Sequence, residues 1–180
     1  MTFGEVRTGE VVELELPARA EVVSVARLVI GALVAADPLF DEERCADMRL
    51  AVSEACTNAI QAELAIADAR RQDVDDLEPI VMRCVVGEGH IEVTVTDHAG
   101  GFDPAALPGH PEVTDPERLN YEGGLGIPLI KMLADDLDFQ ATGDGTSIVM
   151  LFEPRSPELR PVIEAAAGTA SSNGASEDPE

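Results

Sequence analysis

Basic residues are scarce in this chain. Its 180 residues include 12 Lys and Arg against 35 Asp and Glu, which gives a formal net charge of -23. Binding to the phosphates of a nucleic acid depends on a basic face, so this balance argues against direct nucleic-acid binding. An acidic surface suits a basic protein partner, such as a DNA-binding protein that the chain sequesters. General solubility or a high-salt cytoplasm explains the charge equally well.

Cysteines, aromatic residues and long apolar runs are also few. Cys45, Cys56 and Cys84 are odd in number and lack a metal-binding spacing, so we expect buried free thiols in a reducing cytosol. Aromatic residues form only 3% of the chain, which predicts an aliphatic core. The longest apolar run, 28–36, is too short to cross a bilayer, and the N-terminal residues lack a secretory signal pattern. We therefore expect a cytoplasmic protein that does not enter a membrane.

The apolar pattern predicts the order strand, two helices, hairpin, loop, helix, hairpin. The expected strands are 10–16, 80–86, 90–96, 137–142 and 147–152, and the expected helices are 18–35, 41–69 and 125–137. The helices do not alternate with strands as βαβ units do. We therefore expect an α+β two-layer sandwich, in which three helices cover one face of a mixed, mostly antiparallel sheet.

Two further segments complete the predicted organisation. Residues 103–123 hold four prolines and little periodicity, as is typical of a functional loop such as a lid. Residues 154–180 are rich in Pro, Ala, Ser, Gly and Glu, which predicts a disordered tail. The folded domain is accordingly expected to span residues 1–153.

Glu54 and Asn58 lie four residues apart in the second predicted helix, so their side chains share one face. They border a predicted buried stripe of Cys45, Met48, Val52, Ala55, Ala59, Ala62 and Ile66. An Asn58 amide oxygen can ligate a hard cation such as Mg²⁺, and a Glu54 carboxylate can take a proton from a hydroxyl or a water. A solvated helix face also explains such a pair, so the pair needs support from elsewhere in the chain.

Three glycine-containing segments give that support. Asp97 ends a strand before Gly100 and Gly101, where a carboxylate can accept a hydrogen bond from an amine such as that of adenine. Residues 123–126, Gly-Gly-Leu-Gly, lead into a helix whose first N–H groups suit phosphate oxygens. Residues 145–146, Gly-Thr, follow a hairpin turn. Each segment alone also fits an ordinary turn or helix start, so only their fixed order is informative.

In that order the segments resemble the asparagine box and glycine boxes of the GHKL (Bergerat-fold) ATP-binding domain. The wording of 51–60, 101–104 and 123–127 most resembles the stand-alone anti-sigma factor serine/threonine kinases, and the resemblance covers roughly residues 10–153. It implies an enzyme that uses ATP and Mg²⁺, binds an RNA polymerase sigma factor and phosphorylates a serine or threonine of an anti-anti-sigma protein. It also makes a homodimer possible.

The resemblance implies a role for each matching residue. Glu54 would activate the attacking hydroxyl, and Asn58 would ligate the Mg²⁺ that bridges the ATP phosphates. The remaining nucleotide contacts would be Asp97 at the adenine amine, Gly101 in the adenine pocket, Gly124, Leu125 and Gly126 at the phosphates beneath the lid, and Thr146 beside the base. Arg118 and Lys131 are the cations that are candidates to meet phosphate, although Lys131 also fits a solvated surface position.

Two positions depart from the family pattern. Ala99 replaces the first glycine of Asp-x-Gly-x-Gly; if that position needs a positive φ, its Cβ costs about 1 kcal/mol and weakens ATP binding less than about tenfold. Ala62 stands where many relatives have a histidine. Two other functions therefore stay open. One is a binding module that sequesters partners and has a degraded nucleotide pocket; the other is an ATPase in which Glu54 activates water.

Overall fold

The computed structural model describes residues 9–100 and 126–155. Its main elements are β1 (Glu10–Leu16), α1 (Val23–Ala35), α2 (Glu42–Arg70), β2 (Ile80–Gly87), β3 (His90–Asp97), α3 (Gly126–Leu133), β4 (Asp136–Ala141) and β5 (Thr146–Phe152). The predicted lid at 103–123 and all of the predicted tail beyond Arg155 lie outside the described residues. No helix within the described ranges combines the length and the apolar character needed to cross a membrane.

The five strands form one sheet in the order β1-β2-β3-β5-β4, and every neighbouring pair is antiparallel. Because side chains alternate between the two faces of a strand, one face collects the core residues. This face carries Ile80, Met82, Cys84, Ile91, Val93, Val95, Ile148, Met150 and Phe152, all buried. The α+β prediction is confirmed, with a sheet that is wholly antiparallel in the described part of the chain.

All three helices belong to the layer that covers this core face. α2 packs on β2 and β3, and both α1 and α3 pack against α2. Because α2 has neighbours on several sides, its buried surface is wider than the predicted stripe. Met48, Val52, Ala55 and Ala59 are buried as predicted, whereas Cys45, Ala62 and Ile66 are only half-buried.

The ends of α2 follow from local chemistry. Asp41 caps the helix, since its carboxylate accepts a hydrogen bond of 2.7 Å from the backbone N–H of Arg44. Glu42 and Glu43 then occupy the first turn, where negative charge is favourable. The helix stops at Arg70 because Arg71 takes a left-handed conformation with φ 54°.

Two predicted helix boundaries are wrong. The first helix was expected from residue 18 but begins at Val23, because a turn closed by the Arg19 N–H and the Pro17 carbonyl precedes it, followed by a 3-10 turn. The third was expected to reach residue 137 but ends at Leu133. There the N–H of Asp135 donates to the carbonyl of Leu151 instead of continuing the helix, and β4 starts to pair with β5.

A buried arginine that the sequence analysis did not single out joins three elements. Arg44 is 3% exposed, and its guanidinium lies 5.2 Å from the ring centroid of Phe152. It donates to the carbonyls of Leu133 at 2.6 Å and Glu153 at 3.0 Å, and it also pairs with the carboxylate of Asp135. These bonds fasten the start of α2 to the end of α3 and the end of β5.

The cysteines are free, and Cys56 and Cys84 are buried in the core between α2 and the sheet. Burial raises the pKa of each thiol to about 12, and for Cys56 the proximity of Cys84 adds to the effect of burial. Cys45 is only half-buried, so the expectation of three buried thiols is confirmed for two of them.

Replacing Arg44 by alanine is expected to lower the free energy of unfolding by about 3 kcal/mol, because it leaves a carboxylate and two carbonyls without their buried donor. Urea denaturation measures this loss. Arg27→Ala, an exposed change on α1, is the control and should stay within about 0.5 kcal/mol of wild type. Equal stability of the two variants would contradict the structural role of Arg44.

The thiols give a second prediction. At about pH 8 one thiol, Cys45, should react quickly with a disulfide reagent, and the other two should react only as the protein unfolds. Cys56 and Cys84 ionise near pH 9 when unfolded and near 12 when folded, so their contribution to the free energy of unfolding is lost as pH rises from about 9 to 12. A fast phase that persists in Cys45→Ala would contradict the assignment.

Candidate functional site

The first residue of α3 meets the middle of α2 at the predicted pair. A Cβ built on Gly126 would lie 3.1 Å from both Glu54 Oε2 and Asn58 Nδ2, and 3.2 Å from Asn58 Oδ1. Glu54 and Asn58 are half-buried, at the border of the packed face as predicted. The pair and the last residue of the glycine segment, which are far apart in sequence, therefore lie in contact.

The side-chain nitrogen of Asn58 has no hydrogen-bond partner among the described residues. This atom, Nδ2, is buried. A buried polar group without a partner is costly, and such groups are uncommon except where a site needs them. The neighbouring amide and carboxylate oxygens of Asn58 and Glu54 are ligands that suit a hard cation such as Mg²⁺. The residues present therefore fit the predicted metal.

A second cluster forms where β3 ends and β5 begins. Asp97 is 9% exposed and lies opposite Thr146 in the sheet. Its Oδ1 accepts hydrogen bonds from the N–H groups of Ala99 at 3.0 Å and Thr146 at 3.3 Å, and its Oδ2 accepts none from the described residues. The hydroxyl of Thr146 is also buried without a partner in that part of the chain. One carboxylate oxygen and one hydroxyl are thus available to a ligand that carries donors and acceptors along one edge.

Glycine is required at one position of this cluster. A Cβ on Gly145 would lie 1.8 Å from the carbonyl oxygen of Asp97, a distance that no side chain tolerates. Gly100 has φ +83°, and its N–H donates to the carbonyl of Asp144 at 2.7 Å. Ala99 has no positive φ, since Arg71 is the only non-glycine residue with one in the described ranges. The expected penalty at Ala99 is therefore absent.

Glu63 is a buried residue of this region that the sequence analysis missed. It is 3% exposed, and its Oε1 accepts a hydrogen bond of 2.5 Å from the backbone N–H of His98. It lies on the α2 face that also buries Ala59 and Ala67. A carboxylate at the spacing of buried alanines was the signal that could have revealed it.

A cleft of about 390 Å³ opens beside Glu63. It is lined by Glu63, Ile66, Arg70, Gln72, Asp76, Leu77, Glu78, His98, Gly100 and Asp144. At its rim, Nδ1 of His98 lies 3.1 Å from Asp144 Oδ2 and 3.5 Å from Glu78 Oε2. The hydrogen bond from His98 lowers the pKa of the Asp144 carboxyl. These contacts join the loop after β3 to the β4–β5 turn and to Glu78 in the segment before β2.

The other predicted site residues are not seen in the site. Gly101, Gly124, Leu125 and Arg118 lie outside the described residues, so their roles remain predictions. Lys131 is exposed on α3, in agreement with the expectation that it is a solvated surface residue.

Known proteins resemble this chain over most of its length. The family model for the histidine kinase-like ATPase domain matches residues 16–152. The chain is 33% identical over 147 residues to the serine-protein kinase RsbW of Bacillus pumilus, which covers 79% of this chain and 85% of that protein. It is 31% identical over 144 residues to RsbW of Bacillus thuringiensis, with coverages of 78% and 83%.

A solved structure resembles the fold. The structure of the RsbU and RsbW domains of a Mycobacterium tuberculosis protein matches with a TM-score of 0.53 at 16% identity. The match covers 80% of this chain and 32% of that one, so this chain spans about a third of that protein. At this identity the likeness concerns the fold alone.

Gly145→Ala is expected to lower the free energy of unfolding by about 2 kcal/mol, because the new Cβ must displace the backbone of Asp97. Gly143→Ala is a matched control in the same turn, since a Cβ there meets nothing within 4 Å, and it should change the stability by less than about 0.5 kcal/mol. Thermal or urea unfolding compares the two. Equal stability of the two variants would contradict this, because it would show that β3 and β5 can move apart at Asp97 without loss of stability.

Proposed function

The chain belongs to the histidine kinase-like ATPase domain family, and from that premise we propose that it is an ATP-dependent serine/threonine protein kinase with an anti-sigma role. The similarity to serine-protein kinases at 33% and 31% identity supports the activity. The packing of Gly126 beside Glu54 and Asn58 is the observation on which the proposed chemistry rests. It places the N-terminus of α3, a candidate phosphate-binding site, next to a candidate base and a candidate metal ligand.

In the proposed reaction a serine or threonine hydroxyl of the substrate protein attacks the γ-phosphorus of ATP. The new O–P bond forms as the bond to the ADP oxygen breaks, and the hydroxyl proton passes to the carboxylate of Glu54. Asn58 would hold Mg²⁺, which would neutralise charge on the phosphate oxygens. Phosphoryl transfer depends mainly on positioning and on electrostatic stabilisation, and these residues are placed to supply both.

Adenine is recognised at the second cluster. Asp97 Oδ2 accepts a hydrogen bond from the exocyclic amine, and the hydroxyl of Thr146 bonds beside the base. Two observations support this: neither atom has a hydrogen-bond partner among the described residues, and the Thr146 hydroxyl is buried, where an unmade hydrogen bond costs most. Gly101, Gly124 and Leu125 complete the nucleotide site in this proposal.

The partners in the proposal are an RNA polymerase sigma factor and an anti-anti-sigma protein. The chain binds the sigma factor and so prevents it from binding RNA polymerase. Phosphorylation of the anti-anti-sigma protein determines which of the two partners the chain binds. The resemblance of 51–60 and 123–127 to anti-sigma kinases supports this role. The net charge of -23 agrees with it, since the surface with which a protein binds DNA is basic and an acidic chain complements it.

Incubation with ATP, Mg²⁺ and the cognate anti-anti-sigma protein should place phosphate on a serine or threonine of that protein. Glu54→Gln should lower the rate at least about 100-fold, because the base is lost, and should leave nucleotide affinity within about threefold. Asn58→Ala should abolish the increase in affinity that Mg²⁺ gives. Glu42→Gln, an exposed acid on the same helix, is the control and should behave as wild type.

The other two functions give different results in the same assays. A binding module would show no Mg·ATP binding at millimolar concentration and would still retain the sigma factor. An ATPase would release inorganic phosphate without any protein partner. Wild-type transfer by Glu54→Gln would contradict the role assigned to Glu54.

A further inference from the structure

Two carboxylates are buried among the residues that the structure describes, Glu63 at 3% and Asp97 at 9% exposure. Both accept hydrogen bonds from backbone N–H groups of the loop that follows β3. Carboxylates are seldom buried unless they are paired, and Glu63 forms no ion pair with a described Lys or Arg. Its recorded partner is the N–H of His98. The burial of the Glu63 carboxylate with a single backbone donor therefore calls for an explanation from its position.

Three backbone N–H groups at this end of the sheet are shared between the two acids. Glu63 Oε1 takes the N–H of His98, and Asp97 Oδ1 takes those of Ala99 and Thr146. This division satisfies all three donors and leaves Asp97 Oδ2 free of them. Without Glu63, the part-buried N–H of His98 would lose its acceptor, and Asp97 is the acidic residue next to it in the chain.

Glu63 also fixes the orientation of a peptide group. The peptide bond between Asp97 and His98 is planar, so a hydrogen bond at its N–H sets the direction of its carbonyl. That carbonyl is the group against which Gly145 packs. The carboxylate from α2 therefore fixes the backbone from which the Asp97 side chain projects and the contact between the loop and β5.

We propose that Glu63 is a positioning residue for nucleotide binding, which holds the loop after β3 so that Asp97 Oδ2 is aimed at the amine of adenine. The inference rests on the proposed function and deepens it at the adenine end of the site. Glu63 contacts neither the reacting phosphate nor Glu54 in this assignment, and it acts through the His98 N–H and Asp97. Its effect therefore falls on nucleotide affinity and not on phosphoryl transfer.

The test measures Mg·ADP affinity by titration, and KM and kcat for ATP in the phosphorylation assay. Glu63→Ala should weaken Mg·ADP binding about tenfold and raise the KM for ATP by a similar factor, with kcat within about twofold. Glu63→Gln keeps the acceptor oxygen and should bind within about threefold of wild type. Glu63→Asp keeps the charge but shortens the side chain, and should be nearly as weak as Glu63→Ala. Asp68→Ala, an exposed acid on the same helix, should match wild type.

Three results would overturn the inference. One is wild-type affinity in Glu63→Ala. Another is full recovery in Glu63→Asp but not in Glu63→Gln, which would show that charge and not the hydrogen bond matters. The third is a loss confined to kcat, as a reduced folded fraction would give. If Glu63→Ala does not fold, the Gln and Asp variants decide between hydrogen bond and charge.

The proposed function and this inference can fail separately. Nucleotide binding by wild type without transfer to a protein would overturn the kinase but leave the Glu63 comparison intact. No nucleotide binding by wild type would overturn both. Nucleotide affinity that is equal in wild type and in the Glu63 variants would overturn only the inference.

Discussion

The pairing of β3 with β5 is the constraint on which the candidate site depends. Its register places Asp97 opposite Thr146, and a slip of one residue would turn one of the two side chains to the other face. Buried residues further along the same pair, such as Val93 opposite Met150, hold that register. The apolar core thus fixes the position of a polar pair at its end, and Gly145 permits the close approach that the pairing requires.

α2 transmits this order to the other half of the site. Its packed face rests on the sheet, and its border carries Glu54 and Asn58 toward α3. A polar contact near each end ties the helix to a neighbour: Arg44 to the end of α3, and Glu63 to the loop after β3. Both contacts involve buried charges, which are costly unless their bonds are all made. The helix is therefore held in one place relative to the starts of α3 and β5, where Gly126 leaves little room for a side chain beside Glu54 and Asn58.

The elements whose formation depends on local pattern were predictable from the sequence. Apolar alternation and short apolar runs between turns located all five strands. Asp41, Glu42 and Glu43 are residue types typical of a helix start, and α2 begins there. The errors arose where tertiary contacts override the local pattern. Residues after Leu133 continue a helical spacing, yet a backbone bond from Asp135 to Leu151 draws them into the sheet. Arg44 and Glu63 escaped notice because sequence alone does not show which backbone groups satisfy a buried charge.

The predicted site differs from the observed one in a similar way. Glu54, Asn58, Asp97 and Thr146 were identified one by one. That Asn58 Nδ2 and the Thr146 hydroxyl are buried without a partner in the described ranges follows only from the packing around them. The loss of ATP affinity expected from Ala99 depended on a φ angle that the sequence does not reveal. The residue with a positive φ is Gly100.

The charge of the chain bears on how such a site binds a polyanion. The described cation nearest in sequence to the phosphate segment, Lys131, is exposed, and no described Lys or Arg pairs with Glu54. In the proposed function, favourable interactions with phosphate must therefore come from backbone N–H groups at the start of α3 and from the cation that Asn58 holds. A carboxylate beside the phosphates would repel them unless that cation is present, because opposite charge within a few ångströms outweighs a distant field that salt screens. In the proposed function, the binding of the phosphates and their approach to Glu54 would therefore depend on the same ion.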